Sequence, residues 1–378
     1  MEWQALARRF FAAKESQARQ LAKTEASNPQ GDHPGEMAPE VWLYFNAGIS
    51  GDWAEVRKLY HLMSRRSHQF AASAQDVDHR LASMVWQPVN ESYRFYAQLS
   101  VSDPFHLLDY GNKVIRSIPP GGIYLCNSDP GRFVVTGLCE NDQAGKPFFV
   151  ISPNQLTDGL YQAYLESMHG ASIRTLTSKD MQTAFEDYIE AAEQRAARHQ
   201  SLRGEEFQMI DGRPQVKGPR AVFEITAALT RRLFDNNPGR EFFVDFVNDG
   251  YPMEWMFPYF EPHGLTLRLN RTPVVSLSDK AISEDRSYWN KRVVSLLGDD
   301  FNDTNSFNEL SQFTARIYVQ KDLSGLTGDR RFVASEPSWH GQASHLGASA
   351  AWGQHVPPLL RCICGVSSAQ TRTKSGVE

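Results

Sequence analysis

This chain has few cysteines, no excess of basic residues and no long apolar run, and each of these absences argues against a class of protein. The 378 residues include four cysteines with no Cys-x-x-Cys pair, so neither a zinc site nor a disulfide framework is expected. The net charge of -5 provides no basic surface for nucleic acid. No apolar run approaches the length of a membrane span or a signal-peptide core. We therefore expect a soluble protein without a transmembrane segment. It is cytoplasmic by default, and a truncated N-terminus would leave a periplasmic or membrane-associated location open.

The sequence also lacks the patterns of common catalytic and cofactor sites. It has no Gly-x-Ser-x-Gly elbow, no His-Glu-x-x-His, no complete Gly-rich dinucleotide pattern and no phosphate-loop Gly-Lys-Ser/Thr. Catalytic groups can be assembled from distant residues, so these absences lower the expectation of an enzyme without excluding one. We predict no metal and no cofactor.

The most informative segment that is present covers residues 121–132, with the sequence GGIYLCNSDPGR. Residues 123–126 are apolar throughout, as in a strand buried on both faces of a parallel sheet. Asp129 is predicted to cap a following helix over 131–138, and Pro130 suits the first helical position, whose amide has no helical partner. The segment therefore predicts a strand, a tight loop and a helix.

Two interpretations of this loop remain open. In the first, the loop and the helix amides bind an anion, with charge from Arg132 and hydrogen bonds from Asn127 or Ser128. In the second, Asp129 only caps the helix and Arg132 only faces solvent. The first interpretation makes Asn127, Ser128, Asp129 and Arg132 candidate ligand-binding residues.

Glycine and proline positions and apolar periodicity divide the chain into five parts. Residues 41–49, 53–63, 85–99 and 104–118 show helical spacing, and the short turn at 50–52 requires an antiparallel helix pair. Such pairs resemble tetratricopeptide-type units. The predicted parts are an amphipathic helix (1–27), a linker (28–38), helical hairpins (39–118), an α/β domain (119–331) and a tail (332–378).

Strand and helix patterns alternate through the α/β part. Strands are predicted at 123–126, 148–151, 241–247 and 265–269, with a hairpin inserted around Asp211-Gly212. Helices are predicted over 219–234 and 284–297, and a capping box at 177–180 opens another that reaches about residue 200. This order predicts an α/β fold with a Rossmann-like, mostly parallel sheet.

An aromatic segment at 251–264 separates the third and fourth of these strands. It either covers a sheet edge or forms the apolar wall of a ligand pocket. In the pocket interpretation, Glu254 and His263 supply the polar groups.

Several segments carry a resemblance to known families. Residues 118–124, 128–132, 147–149, 241–244 and 258–265 together resemble uncharacterised verrucomicrobial proteins with tetratricopeptide repeats. The strand-Asn-x-Asp loop and the later Gly-Leu strand are similar, more faintly, to the soluble C-terminal portion of a bacterial membrane family related to GT-C-type protein glycosyltransferases. The resemblance implies a link to envelope or glycan processing. It transfers no catalytic residue, and the membrane portion of those relatives is missing here.

The tail differs in composition from everything before it. Glu336 and Glu378 are its only carboxylate side chains, and its apolar residues show no periodicity. It is either a disordered extension or an out-of-frame readthrough of a sequence that once encoded repeats.

The sequence as a whole favours a non-catalytic protein that binds a protein partner or a small-molecule ligand. The alternative is a transferase or hydrolase that acts on an anionic or sugar-containing substrate at the 127–132 loop.

Overall fold

A computed structural model describes residues 2–27, 37–67, 69–71, 73–101, 104–141, 148–200, 206–210, 213–245, 253–284 and 287. They form a mixture of helix and sheet, in agreement with the predicted α/β class. The helices are α1 (Glu2–Ala26), α2 (Pro39–Ser50), α3 (Trp53–Ser64), α4 (Trp86–Val101), α5 (Pro104–Ser117), α6 (Val135–Asn141), α7 (Gly159–His169), α8 (Ser178–Ala197) and α9 (Pro219–Asn236). The strands are β1 (Ile123–Leu125), β2 (Phe149–Ile151), β3 (Glu206–Ile210), β4 (Arg213–Lys217), β5 (Phe242–Val244), β6 (Phe260–His263) and β7 (Thr266–Leu269).

The chain forms two compact units, each made of two separate stretches of sequence. Unit 1 comprises Met1–Pro104 and Phe133–Gly239, and unit 2 comprises Phe105–Arg132 and Arg240–Glu378. Most of the predicted linker, the closing helix after residue 284 except for residue 287, and the tail after residue 332 lie outside the described residues.

Helix α1 is amphipathic, as predicted, and packs within unit 1 against α2, α4 and α6. Its fully buried apolar residues recur at helical spacing, which places them on one face. The helix comes close to α2 at Gly48, where a Cβ atom would overlap the ring of Phe11. The buried apolar residues of α1 are Ala7, Phe10, Phe11, Ala18 and Leu21.

One buried charge interrupts this apolar face. Lys14 is fully buried, and its ammonium group contacts the carboxylates of Glu91 on α4 and Glu140 on α6, the latter at 2.8 Å. Gln17 accepts a third hydrogen bond from Lys14 at 2.9 Å, and Tyr164 on α7 donates to Glu91 at 3.3 Å. Four helices of unit 1 therefore meet at one ionic cluster.

The predicted pair of helices α2 and α3 is confirmed. Gly51 ends α2 with a φ of 85°, a left-handed conformation that glycine adopts without steric cost. Asp52 then caps α3 by accepting a hydrogen bond from the Glu55 amide at 3.1 Å. Two residues suffice for the turn, so the helices pack side by side.

Two other local predictions in unit 1 are also confirmed. Thr177 and Asp180 form the capping box at the start of α8, each side chain bonded to the other residue's amide. Strands β3 and β4 form the predicted antiparallel hairpin, with Ile210 opposite Arg213. The Asp-Gly turn between them lies outside the described residues.

The described residues of unit 2 include four strands in the order β1-β5-β7-β6. β1 pairs with β5 in parallel, whereas β5 with β7 and β6 with β7 pair antiparallel. The sheet is thus mixed, and the prediction of a mostly parallel sheet is wrong. The cause is the tight turn at Gly264 and Leu265: only two residues connect β6 to β7, too few for the crossover that parallel strands need.

The core of unit 2 follows from these pairings. All residues of β1 and β5 are buried, as expected for strands covered on both faces. Tyr124 stands opposite Phe243 in the parallel register, and Phe243 stands opposite Arg268 of β7. These three side chains share one face of the sheet, because paired residues project to the same side.

Candidate functional site

The loop after β1 meets the residue that follows β5. The two strands are parallel, so their carboxyl ends lie at the same edge of the sheet. Asn127 and Ser128 belong to the loop, and Asp245 comes directly after β5. The structure therefore assembles a polar cluster at the predicted edge.

Asp245 is the centre of this cluster. Its carboxylate is 3% exposed and accepts hydrogen bonds from the Asn127 amide at 2.9 Å and the Ser128 amide at 3.1 Å. The Ser128 hydroxyl donates to the same carboxylate at 2.6 Å. A buried carboxylate needs such donors, because burial removes its hydration.

Ser128 also caps the turn that follows. Its hydroxyl oxygen accepts a hydrogen bond from the Gly131 amide at 3.0 Å, and its carbonyl accepts one from the Arg132 amide at 2.9 Å. Asp129 is exposed and takes no part in this cap, so the prediction that it caps the helix is wrong. The helix itself begins with a π-helical turn (Pro130–Val134) before α6.

These contacts bear on the anion-site interpretation. The amides of Asn127, Ser128, Gly131 and Arg132, which would hold an anion, already donate to acceptors within unit 2. An external anion would have to displace the carboxylate of Asp245 from the Asn127 and Ser128 amides, or the oxygens of Ser128 from the Gly131 and Arg132 amides. Ligand binding at the loop stays a prediction.

Two buried tyrosines border the cluster. The hydroxyl groups of Tyr110 on α5 and Tyr124 on β1 are 3.4 Å apart. Burial raises the pKa of both phenols, and the negative charge of Asp245 raises them further. Both therefore stay protonated at neutral pH. A Cβ atom on Gly131 would lie 2.8 Å from the Tyr124 hydroxyl, so only glycine fits here without rearrangement.

Asp245 was missed by sequence reasoning, which placed it inside a strand predicted over 241–247. A signal for it exists: a polar residue directly follows each of two short apolar runs, Asn127 after one and Asp245 after the other. The parallel pairing that brings them together is not visible in either run alone.

A separate pocket of about 440 Å³ lies in unit 2 around His263. Its walls come from the end of α5, from the β6–β7 hairpin and from residues 278–284. Its size falls within the roughly 300–1,000 Å³ typical of small-molecule sites. The polar and charged lining residues are Arg116, Ser117, Glu261, His263, Arg268, Ser278, Lys280 and Glu284.

The hydrogen bond of His263 fixes its tautomer when the ring is neutral. Its Nε2 atom is 2.7 Å from the carbonyl oxygen of Ser117, and a carbonyl can only accept. Nε2 therefore carries the proton, and Nδ1 is left as an acceptor. The ring also packs on Phe243, with centroids 5.1 Å apart.

The six candidate residues thus occupy different places. Asn127 and Ser128 contact Asp245 directly, and the same loop carries Asp129 and Arg132. His263 lines the pocket, whereas Glu254 begins a 3-10 helix (Glu254–Tyr259) and is not part of the pocket wall. The pocket residues of α5 and β7 could not be predicted, since strand register and helix placement bring them to His263.

Comparison of the chain with protein-family models, curated proteins and solved structures found no match. Within the described part of the chain, none of the helices combines the length and the apolar composition that a bilayer crossing requires. The described residues include no group of three or more His, Cys, Asp or Glu side chains placed to hold a metal ion. Cys126 and Cys139 are buried and are free thiols.

Proposed function

We propose that this chain is a binding protein that holds a small polar ligand in the pocket around His263. The observation that carries the proposal is the composition of the pocket wall. Charged groups of both signs, two serine hydroxyls and an imidazole line one concavity of ligand size. Pockets with a few convergent polar groups are the usual form of small-molecule sites.

The pocket is a better candidate than the loop at 127–132. The Asn127 and Ser128 donors of the loop are occupied by Asp245, and a ligand there would have to take these hydrogen bonds from a buried carboxylate. The pocket instead offers the Nδ1 acceptor of His263, to which no hydrogen bond is made by the described residues. A ligand can therefore bind in the pocket without breaking the fold.

The finer fold assignments belong to the same proposal. The parallel pair β1–β5, with a polar loop at its carboxyl end, supports a Rossmann-like description of this part of the sheet. The hairpin of α2 and α3 supports a tetratricopeptide-like unit that contacts a protein partner. A role in envelope or glycan processing rests on the sequence resemblance alone.

The proposal is tested by thermal shift of the full chain against four ligand classes: carboxylates, amines, amino acids and sugar phosphates. A ligand at about 100 times its Kd stabilises the protein by roughly 2.7 kcal/mol, which is easily detected as a rise in Tm. We expect one class to raise the Tm of the wild type and to lose this effect in Arg116→Ala. Arg116 is exposed, so its removal leaves folding intact.

The matched control is Asp129→Ala, an exposed change in the loop that should keep the full shift. An unchanged Tm with all four classes would contradict the proposal. So would a shift of equal size in wild type and Arg116→Ala.

A second function, the transferase or hydrolase at the loop, is favoured by one observation. A buried carboxylate and a serine hydroxyl meet at the sheet edge, with two tyrosine hydroxyls beside them. Carboxylates and tyrosine hydroxyls are side chains that enzymes use as general acids and bases. Turnover of a sugar phosphate or ester that Asp245→Asn abolishes, in a protein that remains folded, would favour this function over binding.

A further inference from the structure

We infer that the ligand of the His263 pocket is a zwitterion, a small molecule with one carboxylate and one ammonium group, such as a free amino acid. This inference rests on the proposed binding function and specifies its ligand class. Three groups of the pocket carry it: the guanidinium of Arg116, the carboxylate of Glu261 and the Nδ1 atom of His263.

Two charged side chains of the pocket, one of each sign, make no ion pair with the described residues. Arg268 pairs with Glu241, and Lys280 lies 3.8 Å from Glu284. Arg116 and Glu261 form neither an ion pair nor a side-chain hydrogen bond with any described residue. Among the charged residues that line the pocket, Arg116 and Glu261 are thus the two that make no ion pair within the described part of the chain.

The two unpaired charges come from different elements. Arg116 lies in the last turn of α5, next to Ser117, whose carbonyl binds His263. Glu261 and His263 are alternate residues of β6, so they project from the same face of the strand about 7 Å apart along it. A molecule that pairs with both charges would bridge the helix and the strand across the pocket.

His263 adds an acceptor on the side of the anion. Its Nε2 proton is used by the Ser117 carbonyl, so the neutral ring can only accept at Nδ1. An ammonium group has three donors and no acceptor, which matches a carboxylate and an imidazole nitrogen. Arg116 matches a carboxylate in the same way, because a guanidinium presents paired donors.

Ligands of a single charge fit this arrangement less well. A simple anion would satisfy Arg116 but approach Glu261, and a simple cation would satisfy Glu261 but approach Arg116. Each would lose part of its favourable interaction to repulsion from the second group. A zwitterion pairs both groups, which is why we select this class.

The test begins with a thermal-shift screen of the full chain against the common L-amino acids. The amino acid with the largest shift is then titrated by calorimetry beside its α-amide and its N-acetyl derivative. The amide lacks the carboxylate charge, and the N-acetyl derivative lacks the ammonium charge. We expect each derivative to bind about tenfold more weakly or worse, as the loss of a charge-assisted hydrogen bond predicts.

Two variants assign the charges to residues. Arg116→Gln should remove the preference for the free amino acid over the amide, and Glu261→Gln should remove the preference over the N-acetyl derivative. The controls are Lys58→Gln and Glu55→Gln, an exposed ion pair on α3 in unit 1, which should change neither preference.

The outcomes separate this inference from the proposed function. Simple carboxylates, or the N-acetyl derivative, binding as tightly as the free amino acid would overturn the zwitterion and keep the binding function. Simple amines, or the α-amide, binding as tightly as the free amino acid would likewise overturn the zwitterion and keep the binding function. An unchanged Kd in both Arg116→Gln and Glu261→Gln would place the amino acid elsewhere and overturn the inference. No shift with any amino acid, carboxylate, amine or sugar phosphate would overturn both.

Discussion

Ser128 and Asp245 join the end of β1 to the end of β5 through a single carboxylate oxygen. The Ser128 amide reaches this oxygen at 3.1 Å and the Ser128 hydroxyl at 2.6 Å. The same hydroxyl accepts from the Gly131 amide, so one side chain connects the strand, the loop and the following turn. The loop is thereby positioned by a residue 117 positions away in sequence.

Replacing Asp245 should therefore destabilise the protein. In Asp245→Ala the two loop amides and the Ser128 hydroxyl lose their acceptor in a buried site. We expect the free energy of unfolding to fall by about 1–3 kcal/mol, the usual cost of leaving buried donors unsatisfied. Urea denaturation of the full chain measures it.

Asp129→Ala is the matched control for this change. Asp129 is exposed and is not the cap, so its loss should alter the free energy of unfolding by less than about 0.5 kcal/mol. A larger cost for Asp129→Ala than for Asp245→Ala would return the capping role to Asp129 and contradict the structure.

Gly131 provides a second test of the same cluster. A Cβ atom there would lie 2.7 Å from the Ser128 hydroxyl and 2.8 Å from that of Tyr124, and closer still to Asp245. Gly131→Ala should lower the free energy of unfolding by about 1–3 kcal/mol through this overlap. Gly159→Ala has open space around its new Cβ and should stabilise the protein by about 0.4–1 kcal/mol. Thermal melts that show the same sign for both variants would refute this account.

Local sequence signals were sufficient where the structure is determined locally. The capping box at Thr177 and Asp180 needs residues three apart, and the Gly51 turn between α2 and α3 needs a few neighbours. The strand at β1 was found because a short apolar run ends in polar residues. In each case the determining contacts lie within one turn or one strand.

The sequence predictions were wrong where the local structure depends on residues that are distant in sequence. Whether Ser128 or Asp129 caps the turn depends on Asp245, which orients the Ser128 hydroxyl. The direction of β7 depends on β6, which lies in the aromatic segment that the sequence alone assigns to a sheet edge or a pocket wall. The partners of His263 in the pocket depend on the same hairpin register.

Asp78 should make stability depend on acid pH. The hydrogen bond from the Arg80 guanidinium is the main cause that holds the pKa of this carboxyl below its ordinary value of 3.8, against burial, and Arg66 adds a second. A lowered pKa means that the stabilisation is complete above pH 3.8 and declines as pH falls below it. Asp78→Asn should therefore destabilise the protein at pH 7 and by a smaller amount at pH 3, where part of the stabilisation remains because the pKa of the folded state lies well below 3.8.

Chemical denaturation at both pH values checks this prediction. Asp76→Asn is the control, because Asp76 is exposed and has only a nearby serine as its hydrogen-bond partner. An Asp78→Asn cost that is equal at pH 7 and pH 3 would show that the ionised carboxylate contributes nothing.

Among the side chains considered for substitution in unit 1, the buried ammonium group of Lys14 should contribute most to the free energy of unfolding. Burial alone would lower the pKa of Lys14, but the charges of Glu140 and Glu91 outweigh it and raise the pKa above the ordinary value of 10.5. The stabilisation is therefore complete below pH 10.5 and is lost only as pH rises through the higher pKa of the folded state.

Lys14→Met leaves two buried carboxylates without their cation, and breaking a buried pair in this way costs about 3–5 kcal/mol. The cost should be the same at pH 7 and pH 9, because Lys14 is protonated throughout this interval. Adding Glu91→Gln to Lys14→Met should recover part of the loss, since one uncompensated charge is removed. Lys58→Met, at an exposed ion pair on α3, is the control and should cost less than about 1 kcal/mol. Urea denaturation that gives equal costs for Lys14→Met and Lys58→Met would mean that the ionic cluster does not hold α1 to α4 and α6.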